Sequence, residues 1–224
     1  MSPSSKQKAE TKRTGLTEFV FGGTFDPVHR GHLAIIKALK SLKSEYPVRI
    51  IPCSTPALKS AAGATFADRV AMLRLALTDC GNWLIDERES ERPGPSYSVD
   101  TLAELQLEEP KVSRIFVMGA DSAKSLCQWH QWHKLASLCH LIVVNRPEFS
   151  SEEAESSVAK AGFDVVDKFS QLERTRRGAA FIVKMQDFPE SSTKIRCSIA
   201  NGKPLDSMLT QSVIEYIRQK HLYE

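Results

Sequence analysis

No run of about 18 apolar residues occurs anywhere in the 224-residue chain, so no membrane-spanning helix is expected. Cysteine is scarce and scattered. Cys53, Cys80, Cys127, Cys139 and Cys197 are odd in number and contain no Cys-x-x-Cys pair. That argues against a disulfide framework and fits reduced thiols in a cytoplasmic protein. Neither sign of charge is in excess. Thirty Lys and Arg against 27 Asp and Glu leave +3, which suits a binder of small anions but does not by itself point to nucleic acid. Internal repeats are missing. Residues 1–15 have no apolar core and are rich in Ser, Lys, Gln and Thr. They read as a flexible tail rather than a signal peptide, ahead of a single domain over 16–224.

What is present is an alternation of short apolar runs and amphipathic stretches. Strands are expected at 19–22, 48–52, 83–86, 114–119, 140–144 and 179–185. Helices are expected at 31–42, 68–77, 99–107 (with Ser98 as a cap), 150–162, 193–201 and 209–220, with one or two more inside 121–138. The polar segment 88–96, centred on Arg92-Pro93-Gly94-Pro95, reads as a loop. The stretch 163–177 gives no clear pattern. Short buried strands alternating with helices indicate a Rossmann-like α/β fold, with a parallel sheet covered by helices on both faces. Ligands of such sheets bind beyond the carboxyl ends of the strands.

The richest segment is Gly22-Gly23-Thr24-Phe25-Asp26-Pro27-Val28-His29-Arg30-Gly31-His32, between the first strand and the first helix. Its glycines allow a sharp turn and close approach to a ligand. His29 and His32, three residues apart at a helix mouth, can point to one side of it, where backbone N–H groups favour phosphate. The segment is neither a Walker loop, since no Gly-Lys-Ser/Thr follows, nor a Gly-x-Gly-x-x-Gly fingerprint. Taken alone, the two histidines also suit a structural role or half a zinc site, although no further Cys or His cluster lies nearby in sequence.

This segment resembles the signature of the HxGH nucleotidyltransferases, and within them that of the nicotinate-mononucleotide adenylyltransferases. The resemblance implies adenylyl transfer from ATP to nicotinate mononucleotide, with His29 and His32 on the ATP phosphates and Gly22, Gly23, Thr24 and Phe25 forming the nucleotide loop. Such a reaction needs no protein nucleophile, only alignment of two phosphates and stabilisation of spreading negative charge. A second segment, Glu190-Ser191-Ser192-Thr193-Lys194-Ile195-Arg196, is similar to the family's Ile-Ser-Ser-Thr-x-Ile-Arg. It implies that Ser192, Thr193 and Arg196 meet the phosphates, Arg196 clamping the leaving pyrophosphate.

Weaker matches extend the resemblance over most of 19–223. Lys59, in Pro56-Ala57-Leu58-Lys59, resembles the lysine of the family's Pro-Pro-His-Lys loop, and Arg69 the arginine after it, although Arg69 fits helix packing equally well. Ser96-Tyr97-Ser98-Val99-Asp100-Thr101-Leu102 resembles the segment whose backbone holds the nicotinate carboxylate, which implicates Tyr97 and Ser98 and favours the acid over the amide. Gly119-Ala120-Asp121-Ser122 resembles the turn on which Gly119 admits adenosine and Asp121 accepts ribose hydroxyls. Trp129 matches the tryptophan that stacks on the pyridine ring. His130 and His133 read as exposed positions on a helix, and Arg174, Arg176 and Arg177 as a solvated turn.

The resemblance further implies Mg²⁺ carried mainly on ATP phosphates, with Asp26 fixing the turn rather than binding metal. It implies soluble cytoplasmic partners only, ATP and nicotinate mononucleotide, with neither nucleic acid nor membrane. Relatives self-associate, so a homo-oligomer is compatible, but no segment here marks an interface. The alternatives are a sister enzyme using nicotinamide mononucleotide or phosphopantetheine, and a nucleotide- or RNA-binding protein that kept the fold without turnover.

Overall fold

In the computed structural model, residues 17–57, 62–78, 80–145, 151–185 and 191–224 are described. Seven parallel strands form one sheet: β1 Thr17–Gly23, β2 Val48–Pro52, β3 Trp83–Ile85, β4 Ser113–Gly119, β5 His140–Asn145, β6 Asp164–Val166 and β7 Ala179–Lys184. Their spatial order is β3-β2-β1-β4-β5-β7-β6. The helices are α1 Arg30–Leu42, α2 Phe66–Ala76, α3 Ser98–Glu108, α4 Ala120–Lys124, α5 Ser151–Lys160, α6 Ser192–Ala200 and α7 Gln211–Gln219. From β1 the chain first builds outward to β2 and β3, then returns to lay β4 on the other side of β1. That reversal opens a crevice past the ends of β1 and β4, where ligands of open α/β sheets bind.

The central strands β1, β2, β4 and β5 are buried on both faces, so their side chains alternate between two cores. Phe19, Phe21, Ile115, Val117, Ile142 and Val144 join one core. Over it lie Ile36 and Leu39 of α1, Met72 and Leu73 of α2, Ile195 of α6 and Val213, Ile214 and Ile217 of α7. Val20, Phe116, Met118, Leu141 and Val143 join the other, covered by Leu102 and Leu105 of α3, Ala120 and Ala123 of α4 and Ala154 and Val158 of α5.

The expected parallel architecture is therefore the observed one, with differences in detail. The unreadable stretch 163–177 holds β6 and a 3-10 turn over Phe169–Arg174. β6 has only three residues and lies at the sheet edge, too short for a period to show. The expected helices of 121–138 shrink to α4 and two 3-10 segments, Leu126–Gln128 and Trp132–Ser137. The loop 88–96 contains a 3-10 turn at Arg88–Ser90. The cap of α3 is Tyr97, not Ser98, which is the first helical residue. Arg174, Arg176 and Arg177 are exposed, as expected of a solvated turn, and Arg176 in addition donates to the Lys111 carbonyl at 2.6 Å. The five cysteines form no disulfide. The tail 1–15 lies outside the described residues.

One feature of the interior carries no sequence signature. Glu18 of β1 and Arg114 of β4 are fully buried, and Arg49 of β2 nearly so. Arg49 lies 3.2 Å and Arg114 3.3 Å from the Glu18 carboxylate. The cluster runs on through Asp86, 2.8 Å from Arg49, to Arg88, and so reaches the loop that leads into α3.

Candidate active site

The loop after β1 is held from several sides. Phe25 has φ 51°, a left-handed conformation that costs an ordinary side chain about 1–2 kcal/mol. Its buried ring offsets that cost by meeting Phe21 edge-on at 5.5 Å and the His32 ring at 4.9 Å. Beneath the loop lies Arg69 of α2, 1% exposed. Its guanidinium donates to the carbonyls of Thr24 at 2.7 Å, Cys53 at 2.6 Å and Ser54 at 3.2 Å. One arginine thereby ties the loop after β1 to the loop after β2. Burial lowers its pKa, though an arginine still stays charged.

His29 caps α1 in an extended conformation (φ −143°), and His32 lies one turn on. The two imidazoles stack, centroids 3.7 Å apart at 30°. The His29 N–H donates to Nδ1 of His32 at 3.2 Å. A ring nitrogen that accepts carries no proton, so neutral His32 keeps its hydrogen on Nε2 as a donor. The first turn of α1 has no acidic residue, which leaves the positive end of the helix uncompensated.

α6 docks its N-terminal end onto the same turn. Ser192 Oγ donates to the Pro27 carbonyl at 3.1 Å, and Arg196 Nη1 to the Asp26 carbonyl at 2.7 Å. Arg196 Nη2 lies 3.4 Å from Thr193 Oγ1. Ser191 caps the helix by accepting from the Lys194 N–H, and this first turn too lacks an acidic residue. Two helix N-termini, two histidines and an arginine from opposite ends of the chain therefore converge on one turn. The Asp26 carboxylate, 3% exposed, accepts from the Gly63 N–H at 2.8 Å, the Ala64 N–H at 3.1 Å and the Tyr223 hydroxyl at 2.8 Å. With its lone pairs so used, Asp26 fixes the turn and is poorly placed to bind a metal.

The crevice continues toward β4. A side chain at Gly119 would meet Asp121 Oδ1 at 2.7 Å, so glycine leaves the room in which the Asp121 carboxylate folds back over the strand end. Asp121 itself is exposed in the first turn of α4. Phe116 of β4 packs beside Gly22 and meets the Trp129 ring edge-on at 6.3 Å. Trp129 and Trp132 are both half-buried. His130 lies in a turn, not on the expected helix, and its ring stacks on Tyr97 at 4.2 Å and 28°. The start of α3 is thus joined to the Trp129 turn.

The approach to α3 is clamped as well. Arg92 donates to Thr101 Oγ1 at 2.6 Å and to Glu104 at 2.9 Å, and Thr101 Oγ1 donates to Glu89 at 2.7 Å. Ser96 Oγ accepts from the N–H groups of Ser54 and Thr55, both at 3.2 Å. The Tyr97-Ser98 helix start is therefore pinned to the loop after β2, the loop that runs toward Lys59. Lys59 itself lies outside the described residues.

Of the expected site residues, Gly22, Gly23, Thr24, Phe25, His29, His32, Ser192, Thr193 and Arg196 gather on one side of the crevice. Tyr97, Ser98, Gly119, Asp121 and Trp129 gather on the other. The Arg69 tether was only half legible, and the Tyr223 contact and the Tyr97–His130 stack were not foreseen. Tyr223 lies in no motif, and stacking across 33 residues leaves no spacing to read.

The cytidylyltransferase-like family model matches residues 20–198. The chain is 35% identical over 205 residues to a probable nicotinate-nucleotide adenylyltransferase of Pseudoalteromonas atlantica, covering 92% of this chain and 94% of that one. It is 36% identical over 207 residues to a Legionella pneumophila protein of the same description, covering 92% and 98%. Among solved structures it resembles the Plasmodium falciparum nicotinic acid mononucleotide adenylyltransferase complexed with NaAD, with a TM-score of 0.73 at 16% identity over 93% of this chain and 97% of that one. The last likeness is one of fold, whereas the first three extend to sequence. The chain belongs to the cytidylyltransferase-like family and, within it, to the nicotinate-nucleotide adenylyltransferases.

Proposed function

We propose that the protein transfers the adenylyl group of ATP to nicotinate mononucleotide, giving nicotinate adenine dinucleotide and pyrophosphate, as a cytoplasmic step of NAD biosynthesis. A phosphate oxygen of the mononucleotide attacks the α-phosphorus of ATP. The new P–O bond forms as the bond to the β-phosphate oxygen breaks, and the electron pair leaves with pyrophosphate. His29, His32 and the N-terminus of α1 face the phosphates and stabilise charge on their oxygens. Arg196, with Ser192 and Thr193 at the start of α6, holds the leaving pyrophosphate. Gly119 and Asp121 receive adenosine. Trp129 offers its face to the pyridinium ring, and the helix start at Tyr97 and Ser98 receives the carboxylate.

Magnesium would arrive with ATP as part of the substrate and take up phosphate charge, which suits a site whose buried carboxylate is already committed to three protein donors. The observation that carries this reading is the docking of Arg196 onto the turn that presents both histidines, across 170 residues of sequence. The test is pyrophosphate release with ATP, magnesium and each acceptor in turn. Nicotinate mononucleotide should be used best, nicotinamide mononucleotide poorly and phosphopantetheine not at all. Turnover confined to phosphopantetheine, or none with any acceptor, would reject the proposal.

A further inference from the structure

Arg196 faces a conflict that its neighbours resolve. Its guanidinium lies beside the Asp26 carboxylate, where a strong ion pair would take it from a phosphate. The contact is 3.4 Å, longer than the roughly 2.7–2.9 Å of a tight charge-assisted bond. Three other donors already satisfy that carboxylate: two backbone N–H groups and the hydroxyl of Tyr223. Tyr223 comes from beyond α7, and its backbone is left-handed, with φ 67°. Its ring covers Gly63, where a Cβ would lie 3.2 Å from the ring and 3.5 Å from Arg196 Cδ. Tyr223, Gly63, Asp26 and Arg196 thus close a ring of contacts. Tyr216 ties the same part of the chain to α2 through a 2.9 Å bond to Asp68. Burial first, and then the bond to Asp26, raise the Tyr223 phenol well above its ordinary value, so it stays a hydrogen-bond donor at working pH.

We infer that Tyr223 is a positioning residue for adenylyl transfer: by occupying the Asp26 carboxylate it keeps the Arg196 guanidinium available to the phosphates. The inference rests on the function proposed above. Without the hydroxyl, Asp26 has one donor fewer, and the Arg196 guanidinium, already 3.4 Å away, is drawn onto it, while Arg69 stays tied to its three carbonyls. The guanidinium then meets the phosphates less well, although the substrate pocket around Trp129 is untouched.

The experiment is Tyr223→Phe, which keeps the ring over Gly63 and removes only the hydroxyl. Its kcat should fall about 10- to 100-fold, as expected for a catalytic group displaced by an ångström or less, while KM for nicotinate mononucleotide stays within about twofold. Calorimetric titration with magnesium pyrophosphate, which needs no turnover, should show affinity weakened about tenfold in protein whose melting confirms that it is folded. In an Arg196→Lys background the second substitution should change neither quantity by more than about twofold, because two residues acting through one contact are not additive. Unchanged kcat and pyrophosphate affinity in Tyr223→Phe, or equal losses in both backgrounds, would overturn the inference. Should the parent protein release no pyrophosphate with any acceptor, the proposed function fails, while the titration still reads the placement of Arg196.

Discussion

The two sides of the crevice are built differently. The phosphate side is held by short polar bonds to buried groups: Arg69 to three carbonyls, Asp26 to two N–H groups and a phenol, Arg196 and Ser192 to the turn itself. The acceptor side has a polar clamp of Arg92, Thr101 and Glu89 at the approach to α3, but Tyr97 and Trp129 themselves are held by rings, Tyr97 on His130 and Trp129 against Phe116, and its key residues are half-buried or exposed. Polar bonds of fixed direction suit a site that must place phosphates within tenths of an ångström. Stacked rings tolerate sliding, which suits a site that binds a flat ligand and then releases it as part of a larger product. The difference predicts that substitutions on the phosphate side act on turnover, and those on the acceptor side on binding.

The largest effect is expected at His32. Replacement by alanine removes an Nε2–H donor oriented by its neighbour, and should lower kcat about 10²–10³-fold, comparable to loss of one oxyanion donor. A folded variant within tenfold of the parent would remove His32 from the chemistry. Next is Arg69→Met, which keeps much of the stem but deletes the donors to Thr24, Cys53 and Ser54. Each buried carbonyl left without a partner costs about 1–3 kcal/mol, so thermal unfolding should show clear destabilisation, with kcat falling as the loop loosens. Unchanged melting would mean that the loops after β1 and β2 are held by other means.

The two sides also differ in how well they could be read in the sequence. On the phosphate side, glycines, a proline and two histidines lie in one run, and a second run carries the arginine, so the local order almost spells the site. Even there, the bonds that make it rigid were hidden. Arg69 fits a family position and a packing role equally well in the sequence, because its three acceptors are backbone carbonyls, which any sequence supplies. Tyr223 is separated from Asp26 by 197 residues. On the acceptor side, Trp129 and the helix start were visible, but 121–138 did not read as 3-10 turns, because a 3-10 segment of a few residues has no period of its own. His130 therefore looked like a surface position on a helix. The buried Glu18, Arg49 and Arg114 resisted reading for the opposite reason: in a strand they look like a polar face, and only the packing of α3 shows that the face is covered. The parallel sheet was legible because its central strands are continuous apolar runs, while the three-residue β6 at the edge was not.

A smaller effect is expected at Trp129. Replacing it with alanine should raise KM for the pyridine nucleotide by roughly three- to tenfold, in line with about 0.5–1.5 kcal/mol for a ring contact, and leave KM for ATP within twofold. Equal weakening of both substrates would show that Trp129 supports the fold through Phe116 rather than stacking on a ligand, and the contrast between the two sides would be lost.

The smallest effect concerns the sheet that carries both sides. His140, at the start of β5, is 1% exposed. Its Nδ1 accepts from the Ala179 N–H and its Nε2 pairs with the Thr175 carbonyl, both at 3.2 Å, an arrangement only the neutral ring can make. Burial lowers its pKa below the ordinary histidine value. The folded state therefore binds its proton later than the unfolded one. Its contribution is complete above an unfolded pKa near 6.5 and is lost as pH falls from there toward the lower folded value, at about 1.4 kcal/mol per unit of difference. Melting temperature should accordingly drop between pH 7.5 and 5.5, and His140→Gln, already less stable at neutral pH, should show a shallower drop. Because β5 carries none of the proposed ligand contacts, His140→Gln should leave the affinities for ATP and nicotinate mononucleotide at pH 7.5 within about twofold of the parent's, measured by calorimetric titration. A larger loss for one ligand alone would tie β5 to that side of the crevice.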